Sequence, residues 1–145
     1  MRAVIQRVIS ANVKINNQVK GKIDKGIVVF LGVGKNDSIA NVKKTANKIL
    51  SLRIFQNDLK KMDYSITDIC GNILVISQFT LYGDCLRGNR PSFISAADPK
   101  HANNIYNEFV NYLKGKSLNV QTGSFGAMMS VELINDGPVT FTLEY

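Results

Sequence analysis

The sequence predicts a mixed α/β fold, two packed β-sheets with two helices on one side, on three observations. Two long segments bounded by turn residues, "GIVVFLGVG" at 26–34 and "NILVISQFTLYG" at 72–83, open on apolar runs that suit strands covered on both faces. Each is followed by a segment with apolar residues at helical spacing. The N-terminal segment "MRAVIQRVIS" alternates apolar and polar residues, as a half-buried strand does. The order is a β-hairpin, strand and helix twice, then three C-terminal strands, in a single domain over residues 1–145.

The first two strands are "AVIQRVIS" and "NVKINNQVKGKI", with Asn16-Asn17 as the turn between hairpin arms. The N-terminus lacks the continuous apolar stretch of a signal peptide, so a cytoplasmic protein is expected. In "NDSIANVKKTANKILSLRIF", Ile39, Val42, Ala46, Ile49, Leu50 and Arg53 recur at helical spacing, with Asp37 or Ser38 as cap. The polar stretch "QNDLKKMDYSITDICG" reads as a loop or short hairpin. The second helix, "DPKHANNIYNEFVNYLKGK", has Asp98 as cap, Pro99 at its first position and Gly115 as its stop. Its inner stripe is Ala102, Ile105, Tyr106, Phe109, Val110 and Leu113. "LNVQTG", "AMMSVELI" and "VTFTLEY" are the last three strands. Between the last two, Asn135-Asp136-Gly137 suits a tight hairpin turn, but Pro138 follows with no N–H for a ladder.

Eighteen basic against 11 acidic residues give a formal charge of +7. That favours an anionic partner, nucleic acid rather than membrane, because no stretch joins basic residues to a strong apolar face. The basic residues fall into Lys14, Lys20, Lys22 and Lys25 in the first hairpin, Lys43, Lys44 and Lys48 on one helix, and Arg87 and Arg90 in a loop. Cys70 and Cys85 form no CxxC and are expected to be free thiols. With His101 as the single histidine, a zinc site is not expected, and no cofactor motif is present. There is no GxSxG elbow, no HExxH and no complete Walker A sequence. Asp58, Asp63, Asp68 and Asp84 lie in loops without the spacing of an acid/base pair.

The chemistry is expected where the second apolar strand turns polar. Ser77, Gln78 and Thr80 interrupt the run Ile73–Ile76, and buried hydroxyls or amides left unpaired cost about 1–3 kcal/mol each. One reading is a strand emerging into solvent; the other is a pocket floor facing a substrate. The following loop, "YGDCLRGNRPSF", carries Arg87 and Arg90 among glycines and suits phosphate or ribose contact. "TGSFGAMM" places Phe125 in a flexible turn, either to stack on a base or to cover the core edge. If the protein is an enzyme, so few proton-transfer groups leave catalysis to positioning, backbone donors and the substrate's own functional groups.

"SQFTL" at 77–81 and "NDGPVT" at 135–140, with "MRAVIQRV", "GNRPSF" and "TGSFGAMM" at matching places, make the chain resemble the D-aminoacyl-tRNA deacylases nearly end to end. Cys85 and Leu86 stand where many relatives have Thr and Lys. The resemblance implies a homodimer that hydrolyses the ester of D-aminoacyl-tRNA, and of glycyl-tRNA mischarged on alanine tRNA. It implies a cis Gly137-Pro138 peptide reaching into the partner's pocket, where main-chain oxygens exclude an L side chain. It further implies a site of Ser77, Gln78, Phe79 and Thr80, with the N–H groups of Phe79 and Thr80 on the ester carbonyl and tRNA contacts from Arg87, Arg90 and Phe125. Thr80 has no visible base to make it a nucleophile, which favours water attack assisted by the ribose 2′-hydroxyl. Two other readings remain open: a noncatalytic nucleic-acid-binding module, and a Thr-nucleophile amidase or esterase.

Overall fold

A computed structural model of the chain describes residues 1–86 and 88–145. Its main sheet has six strands: β1 (Arg2–Ile15), β2 (Gln18–Ile23), β3 (Gly26–Gly32), β6 (Asn72–Ser77), β7 (Val120–Thr122) and β8 (Ser130–Glu144). Between β3 and β6 come helix α1 (Ile39–Ser51) and a small two-stranded sheet, β4 (Phe55–Gln56) and β5 (Met62–Tyr64). Helix α2 (Pro99–Lys114) separates β6 from β7. The expected mixed α/β class, with both helices on one side, is borne out.

Strand β1 organises the sheet. Its first half pairs with β3, its second half with β2, and nearly its whole length with β8 on the other edge. A bulge at Val13/Lys14 and register shifts around Val8 bend it, and bulges increase local twist. The curl brings β2 over β7: a Cβ on Gly21 would lie 2.8 Å from the Thr122 carbonyl oxygen. The β1–β2 turn is formed by Asn16 and Asn17, both at positive φ (49° and 64°), as a two-residue hairpin demands.

The continuous apolar strands are explained by two cores. On β3 and β6, Ile27, Val29, Leu31, Ile73 and Val75 face the helices, meeting Val42, Ala46 and Ile49 of α1 and Ile105, Phe109 and Leu113 of α2. The alternate residues Val28, Leu74 and Ile76 face the hollow of the curled sheet with Val8, Val13 and Ile23. Both helix starts follow their sequence signals. Asp98 accepts hydrogen bonds from the Lys100 and His101 N–H groups at 3.0 Å each, with Pro99 next to it. Ser38, not Asp37, caps α1, its N–H donating to Asn41 Oδ1 at 3.0 Å.

Asp37 is instead buried below the strand ends. It accepts the Met1 amine at 2.6 Å, the Gly34 N–H at 2.7 Å and the Tyr82 hydroxyl at 3.3 Å. His101 donates from Nε2 to the Asp37 carbonyl at 2.9 Å, so the single histidine tethers the start of α2.

Two expectations about strands are corrected. The segment 72–83 is not one strand: β6 ends at Ser77 and a 3-10 turn, Phe79–Tyr82, follows. The segments 127–134 and 139–145 are not two strands joined by a hairpin turn: β8 runs through both. Gln6 pairs with Thr140 and Val8 with Asn135, so Asp136–Val139 stand opposite Arg7 alone. Asp-Gly here serves a bulge rather than a chain reversal. The Asn135 side chain spans it, donating to the Val139 carbonyl at 3.1 Å and accepting the Val139 N–H at 2.8 Å.

Phe109 is fully buried between α2 and the sheet. Phe109→Ala is expected to lower unfolding free energy by about 3–5 kcal/mol in urea denaturation. Burial and the adjacent Asp37 push the Tyr82 hydroxyl up to about 12. Below pH 10 the phenol is neutral folded or unfolded; above it the unfolded chain ionises first, so stability falls from about pH 10 to about 12. Tyr82→Phe should remove that part of the alkaline loss, read by denaturant melts across this range.

Candidate active site

The site is built where β6 ends. The Gln78 N–H donates to the Leu31 carbonyl at 2.8 Å, the last link to β3, and the backbone then tightens into the 3-10 turn. Leu81 and Gly83 N–H donate to the Gln78 and Thr80 carbonyls at 3.3 and 2.9 Å. As the first N–H groups of that turn, those of Phe79 and Thr80 have no partner within it. The turn thus presents two adjacent backbone donors at a strand end, the arrangement a developing oxyanion needs.

These residues border a cleft of about 520 Å³. Ile76, Ser77, Gln78 and Phe79 form one wall, Ala97, Pro99 and Ala102 at the start of α2 a second, and Phe125–Met129 with Val131 a third. Among the described residues, none that lines the cleft carries a carboxylate, an imidazole, an amine or a guanidinium. Phe79 is 59% exposed and meets Phe93 edge-on, ring centroids 5.0 Å apart.

The expected catalytic set is only partly assembled around this cleft. Ser77, Gln78 and Phe79 line it; Thr80 is next to them with its side chain outside the lining, its exposed hydroxyl accepting a hydrogen bond from Gln78 Nε2. Of the expected tRNA contacts, Phe125 lines the cleft and lies 5.8 Å from the Tyr106 ring. Tyr106 in turn donates to the Val75 carbonyl at 2.9 Å, which anchors that wall to β6. Gly123 packs against the Met129 thioether, which a Cβ there would displace, and Gly126 adopts a φ of +74° that favours glycine. Arg90 is exposed on the loop closed by the Asp84–Ser92 bridge and does not line the cleft. Arg87 lies outside the described residues. Cys70 and Cys85 are free thiols, both exposed.

Gly137 and Pro138 are exposed on the β8 bulge, joined by a cis peptide, and do not line the cleft of their own chain. Gly137 has a φ of +125°, and a Cβ there would crowd Val139 Cγ2 at 2.7 Å and Arg7 at 3.0 Å. The bulge is held from behind by Arg7, which is 4% exposed. Its Nε meets the Asp136 carboxylate at 3.0 Å and donates to the Asp136 carbonyl at 3.2 Å, while Nη1 donates to the Ile54 carbonyl before β4. Sequence reasoning missed Arg7 and the buried role of Asp37. The one local trace of Arg7 is a charged residue inside "AVIQRVIS", and nothing local shows that it faces a bulge 129 residues away on another strand.

Among the described residues no helix is long and apolar enough to cross a membrane. A family model described as D-Tyr-tRNA(Tyr) deacylase matches residues 4–144. The chain is 51% identical to the D-aminoacyl-tRNA deacylase of Halothermothrix orenii over 144 residues, covering 99% of this chain and 97% of that one. It is 53% identical to the D-aminoacyl-tRNA deacylase of Thermosipho melanesiensis over 145 residues, with the same coverage. Among solved structures, one titled c-Myc DNA Unwinding Element Binding Protein superposes with a TM-score of 0.94 at 38% identity, covering 100% of this chain and 99% of that chain. A structure titled as a probable eukaryotic D-amino acid tRNA deacylase shares the fold at a TM-score of 0.85 and 15% identity, covering 98% of this chain and 97% of that chain. The chain belongs to the D-aminoacyl-tRNA deacylase family, and so to a family of ester hydrolases.

Arg7→Ala would leave the Ile54 carbonyl and the Asp136 groups without their donor. A loss of about 1–3 kcal/mol is expected in urea denaturation, with faster amide exchange at Val139 than at Val28 in the core.

Proposed function

We propose that this protein is a cytoplasmic D-aminoacyl-tRNA deacylase that binds the aminoacylated 3′ end of tRNA and releases the amino acid as the free acid. The observation that carries the reading is the cleft itself: aromatic and small residues line it beside the first N–H groups of the 3-10 turn, and among the described residues no side chain there titrates near neutral pH. A nucleophilic water therefore needs its proton accepted by the substrate. The ribose 2′-hydroxyl beside the ester is the group within reach. The Phe79 and Thr80 N–H groups receive the charge that grows on the carbonyl oxygen as the tetrahedral intermediate forms. Collapse of that intermediate breaks the bond to the 3′ oxygen, which takes the proton passed on by the 2′-hydroxyl, and frees the amino acid.

Discrimination of handedness falls to Gly137 and Pro138 of a second copy in a homodimer. Their exposure on a bulge braced by Arg7 supports this role, because a rigid main-chain wedge can enter a neighbour's cleft without relying on any side chain. Such a wedge crowds an L side chain, accepts many D side chains, and admits glycine, which has none. Glycyl-tRNA mischarged on alanine tRNA is then also a substrate. Phe125 supports the terminal base, with Arg87 and Arg90 contacting the RNA backbone. No cofactor or metal is part of the proposal.

The structural relative titled as a DNA-unwinding-element binding protein, at 38% identity, favours a second reading in which nucleic acid is bound without turnover. One comparison separates them. Purified protein is incubated with D-tyrosyl-tRNA, L-tyrosyl-tRNA and glycyl-tRNA, and released amino acid is followed. Release from the D and glycyl substrates with the L substrate spared is expected; binding without release supports the second reading. Thr80→Ala should keep the rate within about tenfold, a barrier change of about 1.4 kcal/mol. A substrate ending in 2′-deoxyadenosine should lose about 10²–10⁴-fold. The reverse pattern, a dead Thr80→Ala enzyme and an active deoxy substrate, would assign the chemistry to the threonine.

A further inference from the structure

The charge of +7 is not explained by the described residues of the cleft, none of which is a cation. Lys20 and Lys22 are exposed on β2 and take part in no ion pair among the described residues. Alternation along β2 turns Gly21 and Ile23 inward, so both lysines project from the outer face, about 6.6 Å apart along the strand. Lys14 extends the same patch on β1, but its charge is met by Glu132 at 2.6 Å.

Two contacts fix this patch relative to the cleft. Gly21 packs on the Thr122 carbonyl, three residues before Phe125 in the cleft wall. Lys14 pairs in register with Ser130, and Val13 with Val131, which lines the cleft. Both contacts are made by inward-facing residues, so the first hairpin stands beside the Phe125–Val131 rim with Lys20 and Lys22 on its outer side. The lysines of α1 lack such a link: Lys44 lies over the Tyr145 ring, 4.4 Å from its centre, and Lys43 and Lys48 are on the solvent side of that helix.

We propose that Lys20 and Lys22 form a phosphate-contacting ridge for the acceptor stem of the RNA whose 3′ end occupies the cleft. This rests on the functional reading above for the identity of the RNA, and only on the geometry for its path. A ridge of this kind adds affinity in proportion to the counterions displaced and carries no base specificity. It acts on long substrates alone, because a single terminal adenosine does not reach beyond the rim.

The test compares Lys20→Gln/Lys22→Gln with Lys43→Gln/Lys48→Gln, which removes the same charge from α1. Two readouts are taken: binding of uncharged tRNA across a salt series, and hydrolysis of D-aminoacyl-tRNA beside 3′-D-aminoacyl-adenosine. The hairpin variant is expected to bind tRNA about tenfold more weakly, with the slope of log K against log salt shallower by about 1.5. Its KM for D-aminoacyl-tRNA should rise to match, with hydrolysis of the aminoacyl-adenosine unchanged and the α1 variant close to wild type. Equal losses in the two variants, equal losses on the two substrates, or no change on tRNA would each overturn the ridge. Wild-type protein that binds tRNA through these lysines yet hydrolyses neither substrate would instead overturn the deacylase reading and leave the ridge standing.

Discussion

The arrangement depends on one buried cation. Arg7 sits inside the sheet opposite four residues of β8 where regular pairing would place one. A guanidinium is planar, permanently charged and rich in donors, so it can satisfy several carbonyls and a carboxylate at once. Here it joins Asp136 on the bulge to Ile54 at the entrance of the small sheet. Without it the bulge would be a loose loop in an edge strand. With it, Gly137 and Pro138 are carried at a fixed height above the sheet, on the same strand whose other end, at Val131, walls the cleft.

The cleft follows the same economy of side-chain chemistry. Its donors are backbone groups freed where β6 gives way to a 3-10 turn, and its walls are aromatic or small. Preorganised main-chain donors need no protonation state and cost no reorganisation as charge develops. Such a site suits an ester whose neighbouring hydroxyl can serve as the proton acceptor. It would suit a substrate lacking that group poorly. The fold supplies the rigidity this demands: Tyr106 fastens the Phe125 wall to β6, and Asp37 with His101 fastens the start of α2 to the end of β3.

Much of this was legible in the sequence. Both helices could be bounded because periodic apolar residues coincide with Ser38, Asp98 and Pro99 at their starts, all local signals. The two covered strands were legible because helices on one side and the curled sheet on the other leave no polar face. Two features were not. Asp136-Gly137 has the local chemistry of a hairpin turn, and only the long-range pairing with β1 makes it a bulge. The shift from strand to 3-10 turn after Ser77 has no periodic signature in four residues. Arg7 and Asp37 act through partners 129 and 45 residues away, beyond the reach of any local pattern. The family resemblance supplied the site residues, and the geometry then separated those that line the cleft, Ser77, Gln78, Phe79 and Phe125, from the Thr80 side chain and Arg90, which do not.

The account stands on main-chain atoms carrying both the chemistry and the choice of hand. Its most direct test is a crystal structure with a non-hydrolysable 3′-D-aminoacylamino-adenosine bound. The carbonyl oxygen is predicted to lie within about 2.7–3.1 Å of the Phe79 and Thr80 nitrogens, with the carbonyl oxygens of the partner subunit's wedge against the ligand's α-carbon and amino group. A ligand whose carbonyl faces away from those nitrogens, with the Thr80 hydroxyl on its carbon and the wedge far from it, would contradict the account.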